Sequence, residues 1–451
     1  MFKRQLINDL VSWSKKADRK PLVLRGARQV GKTTLVLDFA KKYKQFIHLN
    51  LENKQEKDLF KAAESFESLV DSIFFISRKQ KNISPTLLFI DEIQNSGEAI
   101  KSLRYFFEKC PEIHVIAAGS LLETTLNNEI SFPVGRVEFL PVRPFSFCEY
   151  LVAIGESRLL DTIIENNIND FYHGILSAHF QDYTVIGGMP EIVQKYVNTK
   201  DLVSLESIYQ SLIAGYNDDV EKYATSSAGV NYIRHIIRTG MNYAGQRIKF
   251  EKFGESEYRS REMGESFRLL EKTMLIELVY PVSHTVFPLL PNLKKSPRLY
   301  WLDIGMVNYA TGTQYEVFSA QDISAAWRGI SAEIVVGQEL LAYETSILGK
   351  RNFWTRESKN AVAEIDFLYT YKGKLIPIEV KSGEKGTLKS LHSYMELAPH
   401  TVAIRVWNKK LSSDEITLPS GKKYTLVSIP YYQISNLEGI LSGYTFNHHV
   451  E

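Results

Sequence analysis

Eight consecutive residues near the N-terminus have the types and the spacing that bind a phosphate chain. They read GARQVGKT from Gly26 to Thr33 and fit the pattern G-x-x-x-x-G-K-[ST] at each fixed position. Glycines let backbone N–H groups converge on an anion, and the helix that follows adds its partial positive charge. Lys32 would reach the β- and γ-phosphates, and the Thr33 hydroxyl would ligate Mg²⁺. The sequence therefore predicts that the chain binds a nucleoside triphosphate. The predicted ATP-binding residues are Gly26, Ala27, Arg28, Gln29, Val30, Gly31, Lys32, Thr33 and Thr34.

Two adjacent carboxylates could manage the metal ion and the attacking water of a hydrolysis reaction. Asp91 and Glu92 follow an apolar run at 86–90, at the predicted carboxyl end of a strand, where α/β sheets place their ligands. Asp91 is suited to hold Mg²⁺ through water, and Glu92 is suited to orient and deprotonate the attacking water. The alternative is an acidic start to the next helix, whose dipole favours such residues. After a phosphate loop, we favour the hydrolytic interpretation.

Two further residues could sense or stabilise the charge of the nucleotide. An apolar run at 114–118 ends in Gly119-Ser120. This extra strand, together with a catalytic glutamate, resembles the AAA-type branch of the phosphate-loop ATPases. In that resemblance Ser120 takes the polar sensor position that feels the γ-phosphate, where asparagine is commoner; a helix N-cap is the other role open to it. Arg136, near the domain edge, could stabilise a phosphoryl group, often that of a neighbouring subunit, and a surface arginine is the alternative.

Three charged residues near the C-terminus suit metal-dependent cleavage of a phosphodiester. Two strand-like runs, 363–370 and 374–381, are joined by a Lys-Gly turn and predict a hairpin that would bring Asp366, Glu379 and Lys381 together. The carboxylates could hold Mg²⁺ beside the scissile phosphate. Lys381 is predicted on the same strand face as Glu379 and could activate water or stabilise the developing charge. The alternative is a hairpin with exposed charges.

This order of an aspartate followed by Glu-x-Lys on the paired strand resembles the PD-(D/E)XK nuclease fold. The resemblance implies a role for Glu333, on a predicted helix at 329–340, as the additional acidic residue that this fold often carries. A binding module that has kept the fold without the catalysis is the alternative. The predicted metal ligands of the whole chain are Thr33, Asp91, Glu333, Asp366 and Glu379.

Buried strands must place these residues. Apolar runs without alternation at 21–24, 86–90 and 114–118 predict strands covered on both faces of a parallel sheet, and so an α/β first domain. Residues 157–230 are mostly helical in period, with one tight turn at 187–191 that would position a helical lid. Helices predicted at 231–242 and 260–273, then a hairpin, have the outline of a winged helix.

Basic residues of this winged-helix-like module suggest a nucleic-acid surface. A polar loop carries Lys294, Lys295 and Arg298, which would suit contacts to phosphates, and the preceding helix carries Arg261 and Arg268. Glutamates interleave with these residues, so solvated helix faces with i,i+4 pairs are the alternative.

One bacterial and archaeal family resembles nearly the whole chain: the AAA-type ATP-binding proteins with a C-terminal domain of unknown function, which are related to the archaeal ATPases. The resemblance rests on five segments in this order, namely the phosphate loop, IDEIQ at 90–94, GGMPE at 187–191, LDIGM at 302–306 and PIEVKSG at 377–383. It implies an ATPase core at 1–156, a helical lid at 157–230, a winged-helix-like module at 231–320 and a nuclease-like α/β domain at 321–451.

Composition bounds the remaining possibilities. A chain of 451 residues is too long for one core, and its 44% apolar and 24% charged residues are typical of a globular protein. The formal net charge of +2 neither requires nor excludes a nucleic-acid partner. The only cysteines, Cys110 and Cys148, exclude a disulfide framework and a cysteine-rich zinc site, and we expect both to pack in a core in a reducing compartment.

No apolar run approaches the roughly eighteen residues of a membrane span, and the first residues lack the apolar region of a secretory signal. We therefore expect a cytoplasmic protein without a membrane partner. The expected function is ATP hydrolysis that regulates a Mg²⁺-dependent nuclease-like domain acting on nucleic acid, on DNA in preference to RNA. An ATP-driven switch with a catalytically silent C-terminal domain is the alternative. A homo-oligomer is a further expectation.

Overall fold

A five-stranded parallel sheet organises the first domain. The computed structural model describes residues 2–120, 132–224, 226–315, 330–358, 361–382 and 387–446. The strands are β1 (Leu22–Arg25), β2 (Gln45–Asn50), β3 (Thr86–Asp91), β4 (Ile113–Gly119) and β5 (Glu138–Pro141). Their order in the sheet is β2-β3-β4-β1-β5. Strand β4 therefore lies between β3, which ends in Asp91, and β1, which precedes the phosphate loop. The predicted parallel sheet is confirmed.

Helices cover both faces of this sheet. Successive residues of a strand point to opposite faces, so apolar residues in a row need a cover on each face. Leu87 and Phe89 of β3 pack in one apolar cluster, and Leu88 and Ile90 pack in another. The helices of this domain are α1 (Ile7–Ser14), α2 (Lys32–Ala40), α3 (Lys54–Ala62), α4 (Phe66–Ile76), α5 (Gly97–Lys109) and α6 (Phe147–Ala153). The apolar runs of the sequence therefore form a sheet that is buried on both faces, as predicted.

The middle of the chain is helical and then turns into a short hairpin. Its helices are α7 (Ser157–Ile164), α8 (Asp170–Ile186), α9 (Pro190–Thr199), α10 (Glu206–Tyr223), α11 (Ser227–Thr239), α12 (Ser260–Lys272) and α13 (Ile304–Ala310), and its strands are β6 (Ile276–Val279), β7 (Pro281–Val282) and β8 (Arg298–Trp301). Strands β6 and β8 pair antiparallel. The two helices followed by a hairpin are thus present, within a few residues of the predicted bounds.

The C-terminal part is built on a second five-stranded sheet. Its elements are α14 (Ile330–Ala342), β9 (Phe353–Ser358), β10 (Ala361–Ile365), β11 (Phe367–Tyr371), β12 (Lys374–Val380), α15 (Lys389–Leu397), β13 (Val402–Trp407), β14 (Ser412–Thr417), β15 (Lys423–Pro430) and α16 (Leu437–Ser442). The sheet order is β11-β12-β13-β15-β14, and β9 joins β10 to β7 in a smaller sheet. Because β7 precedes residue 320, this smaller sheet crosses the predicted boundary between the last two domains.

The predicted hairpin exists, but its first strand is shorter than expected. Strands β11 and β12 pair antiparallel around the turn. The single strand expected over 363–370 is instead interrupted at Asp366, between β10 and β11. The Asp366 side chain accepts a hydrogen bond from the Val380 backbone N–H at 2.8 Å, and this tie holds the carboxylate at the edge of β12. The break therefore sets the direction of the Asp366 side chain, at the cost of strand continuity.

Two segments singled out in the sequence interlock beneath the lid. Gly187 adopts a positive φ of 70°, and a Cβ at this position would collide with the side chain of Asp303. Asp303 accepts hydrogen bonds from the N–H of Gly188 at 2.6 Å and, as the cap of α13, from that of Met306 at 3.2 Å. Asp303 thus ties the tight turn at 187–191 to the LDIGM segment, and the role of this turn in positioning a lid stays a prediction.

A buried carboxyl of the C-terminal part caps a helix of the first domain. Glu339 of α14 accepts hydrogen bonds from the Phe147 N–H at 3.0 Å and from the Tyr183 hydroxyl at 2.7 Å. Burial raises the pKa of Glu339 to about 8. In the unfolded chain a glutamate titrates near pH ~4.3, so at intermediate pH the folded protein holds a proton that the unfolded chain has lost.

We therefore expect the stability contributed by the neutral Glu339 to be complete at low pH and lost as pH rises through about 8. The group adds a slope of at most about 1.4 kcal/mol per pH unit in that window. In Glu339→Gln the pH dependence of the melting temperature between about pH 5 and 8 should be flatter than in the wild type. Glu64→Gln, at an exposed site, is the control. Equal slopes in wild type and Glu339→Gln would contradict this.

Within the described ranges, the structure has no helix of the length and apolarity that a membrane crossing requires.

Candidate nucleotide site and carboxylate cluster

The phosphate loop joins the end of β1 to the start of α2, and both of its glycines occupy positions that disfavour a side chain. A Cβ at Gly26 would collide with the Val142 carbonyl oxygen, and Gly31 has a positive φ of 90°. Gly31 is also the cap residue of α2, so the free N–H groups of the first helical turn open onto the loop. The loop therefore has the backbone geometry that an anion site needs.

Lys32 contacts the loop and Thr33 contacts Asp91, whereas their roles toward phosphate and Mg²⁺ stay predictions. The buried Lys32 ammonium donates to the carbonyl oxygens of Gly26 and Ala27 at 3.0 and 2.9 Å, and burial lowers its pKa to about 8. The Thr33 hydroxyl donates to Asp91 Oδ2 at 2.7 Å. The two predicted Mg²⁺ ligands of this site are thus adjacent. Mg²⁺ commonly takes only one or two protein ligands and completes its shell with phosphates and water, so this pair fits the ion.

Glu92 stands directly at the end of β3 in a strained backbone conformation. Its φ of 52° lies in the left-handed region, which is uncommon for a residue other than glycine. Burial raises the pKa of its carboxyl, and the Gln94 side-chain amide donates to Oε2. A carboxylate with a raised pKa that is held by a hydrogen bond is suited to take a proton from water. Gln94 was not among the predicted site residues.

Lys32, Thr33 and Glu92 line a cavity of about 560 Å³ between the first domain and the lid. The lid contributes Pro190, Glu191 and Gln194 of α9, so the GGMPE segment reaches the nucleotide site, although the sequence suggested only a positioning role. Of the predicted binding residues, the cavity walls include Arg28, Gln29, Gly31, Lys32, Thr33 and Thr34, and Gly26, Ala27 and Val30 are not among them. The cavity volume suits a small-molecule ligand.

Arginines fasten the loop to its surroundings. Arg28 pairs with Asp219 of α10 at 2.9 Å, and the Tyr216 hydroxyl of the same helix donates to the Arg28 carbonyl oxygen at 2.9 Å. The buried Arg4 donates to the Val30 carbonyl oxygen at 3.0 Å and pairs with Glu149 at 2.9 Å. Sequence reasoning missed Arg4, because its partners are distant in the sequence and no motif surrounds it.

Ser120 and Arg136 differ in their relation to this cavity. Ser120, at the end of β4, lines it and so occupies a place from which it could contact the nucleotide. Arg136 is not among the lining residues and instead pairs with Glu108 at 2.8 Å, with 43% of its side chain exposed. Within one chain, Arg136 is therefore a surface arginine, as the alternative interpretation states. A role for Arg136 at the site of a neighbouring subunit stays a prediction.

Comparison with protein-family models matches three consecutive parts of the sequence. Residues 18–151 match a model described as an AAA domain. The chain contains an AAA domain. Residues 177–316 and 328–431 match models that are each described as a domain of unknown function (DUF8612 and DUF4143). Together with the loop geometry, the first match supports ATP binding and hydrolysis by the AAA domain.

Comparisons with individual proteins add little. No curated protein matches the sequence. Among solved structures, a Walker-type ATPase, PABY2304 of Pyrococcus abyssi, is 16% identical, with 69% of this chain and 96% of that chain covered at a TM-score of 0.44. The Pif1 helicase from Candida albicans is 15% identical, with 39% and 47% covered at a TM-score of 0.23. Because both TM-scores lie below 0.5, no conclusion is drawn from either likeness.

The second predicted constellation also comes together, at the edge of the C-terminal sheet. Lys381 Nζ lies 2.6 Å from Glu379 Oε1, on the face expected from their spacing. Asp366 is tied to the backbone beside them through Val380. Glu333 reaches the same cluster from α14, and Glu364 of β10, which the sequence did not single out, completes it. We call Glu333, Glu364, Asp366, Glu379 and Lys381 the carboxylate cluster.

Arg298 enters this cluster from β8 and corrects its predicted role. The sequence placed Arg298 in an exposed loop with Lys294 and Lys295, suited to contacts with nucleic-acid phosphates. Instead it is 6% exposed and forms ion pairs with Glu333 and Glu364, and its NH2 lies 3.6 Å from Asp366 Oδ1. As the first residue of β8, it is carried into the interior by the pairing of β8 with β6. Arg298 is therefore an internal counterion.

Burial sets the electrostatics of the carboxylate cluster. It raises the pKa values of Glu333, Asp366 and Glu379, and the negative charge of Asp366 raises those of the two glutamates further. The Arg298 guanidinium opposes the rise at all three carboxyls, and the Lys381 ammonium opposes it at Asp366 and Glu379. Arg247 NH1 also lies 3.7 Å from Glu364 Oε2, so four carboxyl groups share three cations, and burial favours the protonated form of Glu333, Asp366 and Glu379.

One atom of the cluster has no partner. Glu379 Oε2 is buried without a hydrogen bond to any described residue. A buried, unsatisfied carboxylate oxygen is costly and suits a position meant for a cation. Nevertheless, among the residues that the structure describes, no three His, Cys, Asp or Glu side chains are arranged as a ready metal site. Carboxylates are the type of ligand that Mg²⁺ prefers, and Glu379 Oε2 has no other partner among the described residues. With Arg298 between them, however, the carboxylates are not gathered around one centre.

Proposed function

We propose that ATP hydrolysis in the AAA domain regulates a Mg²⁺-dependent nuclease site in the C-terminal domain. The observation that carries this proposal is the convergence of Glu333, Asp366, Glu379 and Lys381, with an unsatisfied oxygen on Glu379. The substrate class is nucleic acid, DNA in preference to RNA, because this chemistry acts on phosphodiesters.

The residues of the cluster would divide the work of cleavage. Asp366 and Glu379 would hold Mg²⁺, with Glu333 assisting, and the bound ion would stabilise charge on the scissile phosphate. Lys381 lies 2.6 Å from Glu379 Oε1, so its ammonium is positioned to orient a water molecule or to stabilise the developing negative charge. The Tyr431 hydroxyl donates to the Lys381 carbonyl oxygen at 2.5 Å and so fixes the backbone that carries this lysine.

Arg298 supplies a physical basis for regulation. It belongs to the middle of the chain, yet its guanidinium lies where a cation bound by Glu333, Glu364 and Asp366 would lie. Asp303 of the segment that follows β8 is joined to Gly188 of the lid, and Asp219 of the lid is joined to Arg28 of the AAA domain. A nucleotide-driven movement of the lid could thus withdraw Arg298 and open the carboxylates to Mg²⁺.

A cleavage assay with matched variants tests the proposal. Wild type, Lys32→Ala, Lys381→Ala and the control Lys372→Ala, in the exposed turn of the hairpin, are incubated with single- and double-stranded DNA and RNA in Mg²⁺ or Mn²⁺, with and without ATP. We expect wild type and Lys372→Ala to cleave the substrate. In Lys381→Ala the rate of cleavage should fall by about 10²-fold or more. In Lys32→Ala cleavage should no longer depend on ATP. Equal cleavage by Lys381→Ala would indicate a contaminating nuclease and contradict the proposal.

A second function is favoured by the same arginine. Because Arg298 is buried and paired within the cluster, the C-terminal domain could act only as a binding module in an ATP-driven switch. The assay separates the two. Intact substrates under every condition, together with an ATP-dependent change in oligomeric state or nucleic-acid retention, would support the switch.

A further inference from the structure

A second cavity, of about 410 Å³, lies behind the phosphate loop. Gly26 and Ser120 of the AAA domain form one wall, and Ser120 also lines the nucleotide cavity on its other side. Residues of α12 and β6 form the second wall, and the segment from Leu341 to Arg351 forms the third. Three parts of the chain therefore meet around one space, and none of the residues proposed for cleavage lines it.

The lining of this cavity is strongly basic. Six basic and two acidic side chains take part. Both acids already have cationic partners: Glu271 pairs with Lys350 at 2.8 Å, and Glu277 pairs with Arg351 at 2.6 Å. Glu277 is further engaged by the Arg351 backbone N–H at 2.9 Å. Arg143, Arg268 and Lys272 thus face the cavity without an ion pair to either of these acids.

Arg143 is a buried member of this basic lining with an unsatisfied donor. Its Nε is buried and has no hydrogen-bond partner among the described residues. Burial lowers the pKa of this guanidinium to about 10, yet it remains charged at neutral pH. A buried donor normally forms a hydrogen bond with another group of the protein, with water or with a ligand. A donor without any partner in the protein therefore suggests a ligand. Arg143 therefore marks the inner end of the cavity as a site for an anion.

Two exposed basic side chains at the mouth of the cavity also lack a carboxylate partner among the described residues. Arg268 and Lys272 lie one turn apart on α12, so their side chains share one face of the helix. Both are exposed, and in the part of the chain that the structure describes neither forms an ion pair. Between mouth and base the walls are apolar, with Met274, Ile276, Trp301, Leu302, Leu341 and Leu348. Leu348 is 83% exposed.

We propose that this cavity binds a small organic phosphate. The phosphate would pair with Arg143, Arg268 and Lys272, and an apolar or aromatic body would pack against Trp301 and the leucines. The volume lies in the range of about 300–1,000 Å³ that holds small ligands. A doubly charged phosphomonoester suits three unpaired cations better than a single carboxylate does, because guanidinium groups bind phosphate oxygens in pairs. Such a ligand would connect the AAA domain to α12 and to the C-terminal part.

Binding of 1-naphthyl phosphate to the full chain tests this, measured by its own fluorescence and by calorimetry. We expect saturable binding to the wild type, with a weaker response to 1-naphthol and to inorganic phosphate, since each lacks half of the recognised groups. Arg143→Met and the double variant Arg268→Glu/Lys272→Glu should each weaken the dissociation constant at least tenfold. Arg261→Glu, an exposed change on the same helix, is the matched control and should bind as the wild type does.

Three results would overturn the proposal. The first is no saturable binding to the wild type. The second is unchanged affinity in both Arg143→Met and the double variant; since Arg268 and Lys272 are exposed, the double variant is expected to fold even where Arg143→Met does not. The third is loss of binding in Lys32→Ala, which would place the probe in the phosphate loop instead. Ligand that raises the melting temperature of the wild type, but not of the double variant, would support the site.

Discussion

Replacing Glu92 with glutamine is expected to abolish ATP turnover while ATP binding stays close to that of the wild type. Glutamine keeps the shape of the side chain and can still meet Gln94, but it cannot accept a proton from water. The carboxylate is held at the end of β3 by that hydrogen bond, and burial raises its pKa toward the range in which it works as a base. Loss of a general base typically costs about 10²–10⁴-fold in rate.

Two measurements check this result. Phosphate release should fall by at least 10²-fold in Glu92→Gln, whereas calorimetric affinity for ATP in Mg²⁺ should change by less than about threefold. Glu52→Gln removes a neighbouring exposed carboxylate whose charge acts on Glu92, and it should leave turnover nearly unchanged. If Glu92→Gln hydrolyses ATP at the wild-type rate, the base is another residue, and the assignment made from the position after the strand is wrong.

The nucleotide site could be predicted from the sequence because its chemistry is local. Eight adjacent residues fix the loop, and one apolar run ending in two carboxylates fixes Asp91 and Glu92. The structure adds contacts that no local pattern contains: Arg4 binds the Val30 carbonyl oxygen across the domain, and the lid brings Glu191 to the cavity. Such contacts arise from the packing of distant segments, and a single sequence carries no periodicity that reports them.

Arg298 shows why a composition-based interpretation fails at such places. With Lys294, Lys295 and a proline around it, the segment has the composition of an exposed basic loop. The residues that follow are Leu299, Tyr300 and Trp301, which are all buried in β8. A run of large apolar residues beginning at the next position was the available signal that Arg298 starts a strand rather than ends a loop. A buried arginine then requires carboxylate partners, and Glu333 and Glu364 supply them.

The hairpin was predictable for a different reason. Alternation and a Lys-Gly turn specify β11 and β12, and the period of two places Glu379 and Lys381 on one face. The break at Asp366 was not predictable, because it depends on a hydrogen bond from Val380 in the partner strand. Four of the five members of the carboxylate cluster were therefore predicted, whereas Glu364 and the closure of the cluster by Arg298 were not.

The same closure leads to the second large effect: Arg298→Gln should make the stability of the protein depend on divalent cations. Arg298 is the cation shared by Glu333, Glu364 and Asp366, so its removal takes their common counterion away and leaves the charge of these carboxylates undercompensated. Breaking a buried ion pair on one side costs about 3–5 kcal/mol. In EDTA the melting temperature of the variant should fall well below that of the wild type, and Mn²⁺ or Mg²⁺ should restore much of the loss, because an ion bound only by the folded state stabilises it.

A double-variant cycle separates this explanation from a simple packing defect. If the loss in Arg298→Gln comes from uncompensated charge, then Arg298→Gln/Glu333→Gln should be more stable in EDTA than Arg298→Gln alone, because one of the charges left without a partner is removed as well. Arg261→Gln, which breaks only an exposed ion pair with Glu265, should cost about 0–1 kcal/mol and show no dependence on divalent cations. An Arg298→Gln variant that melts at the same temperature in EDTA and in Mn²⁺ would show that the carboxylates cannot gather around an ion when the arginine is absent. The cluster would then be a structural network, and the switch would become the better account of the protein.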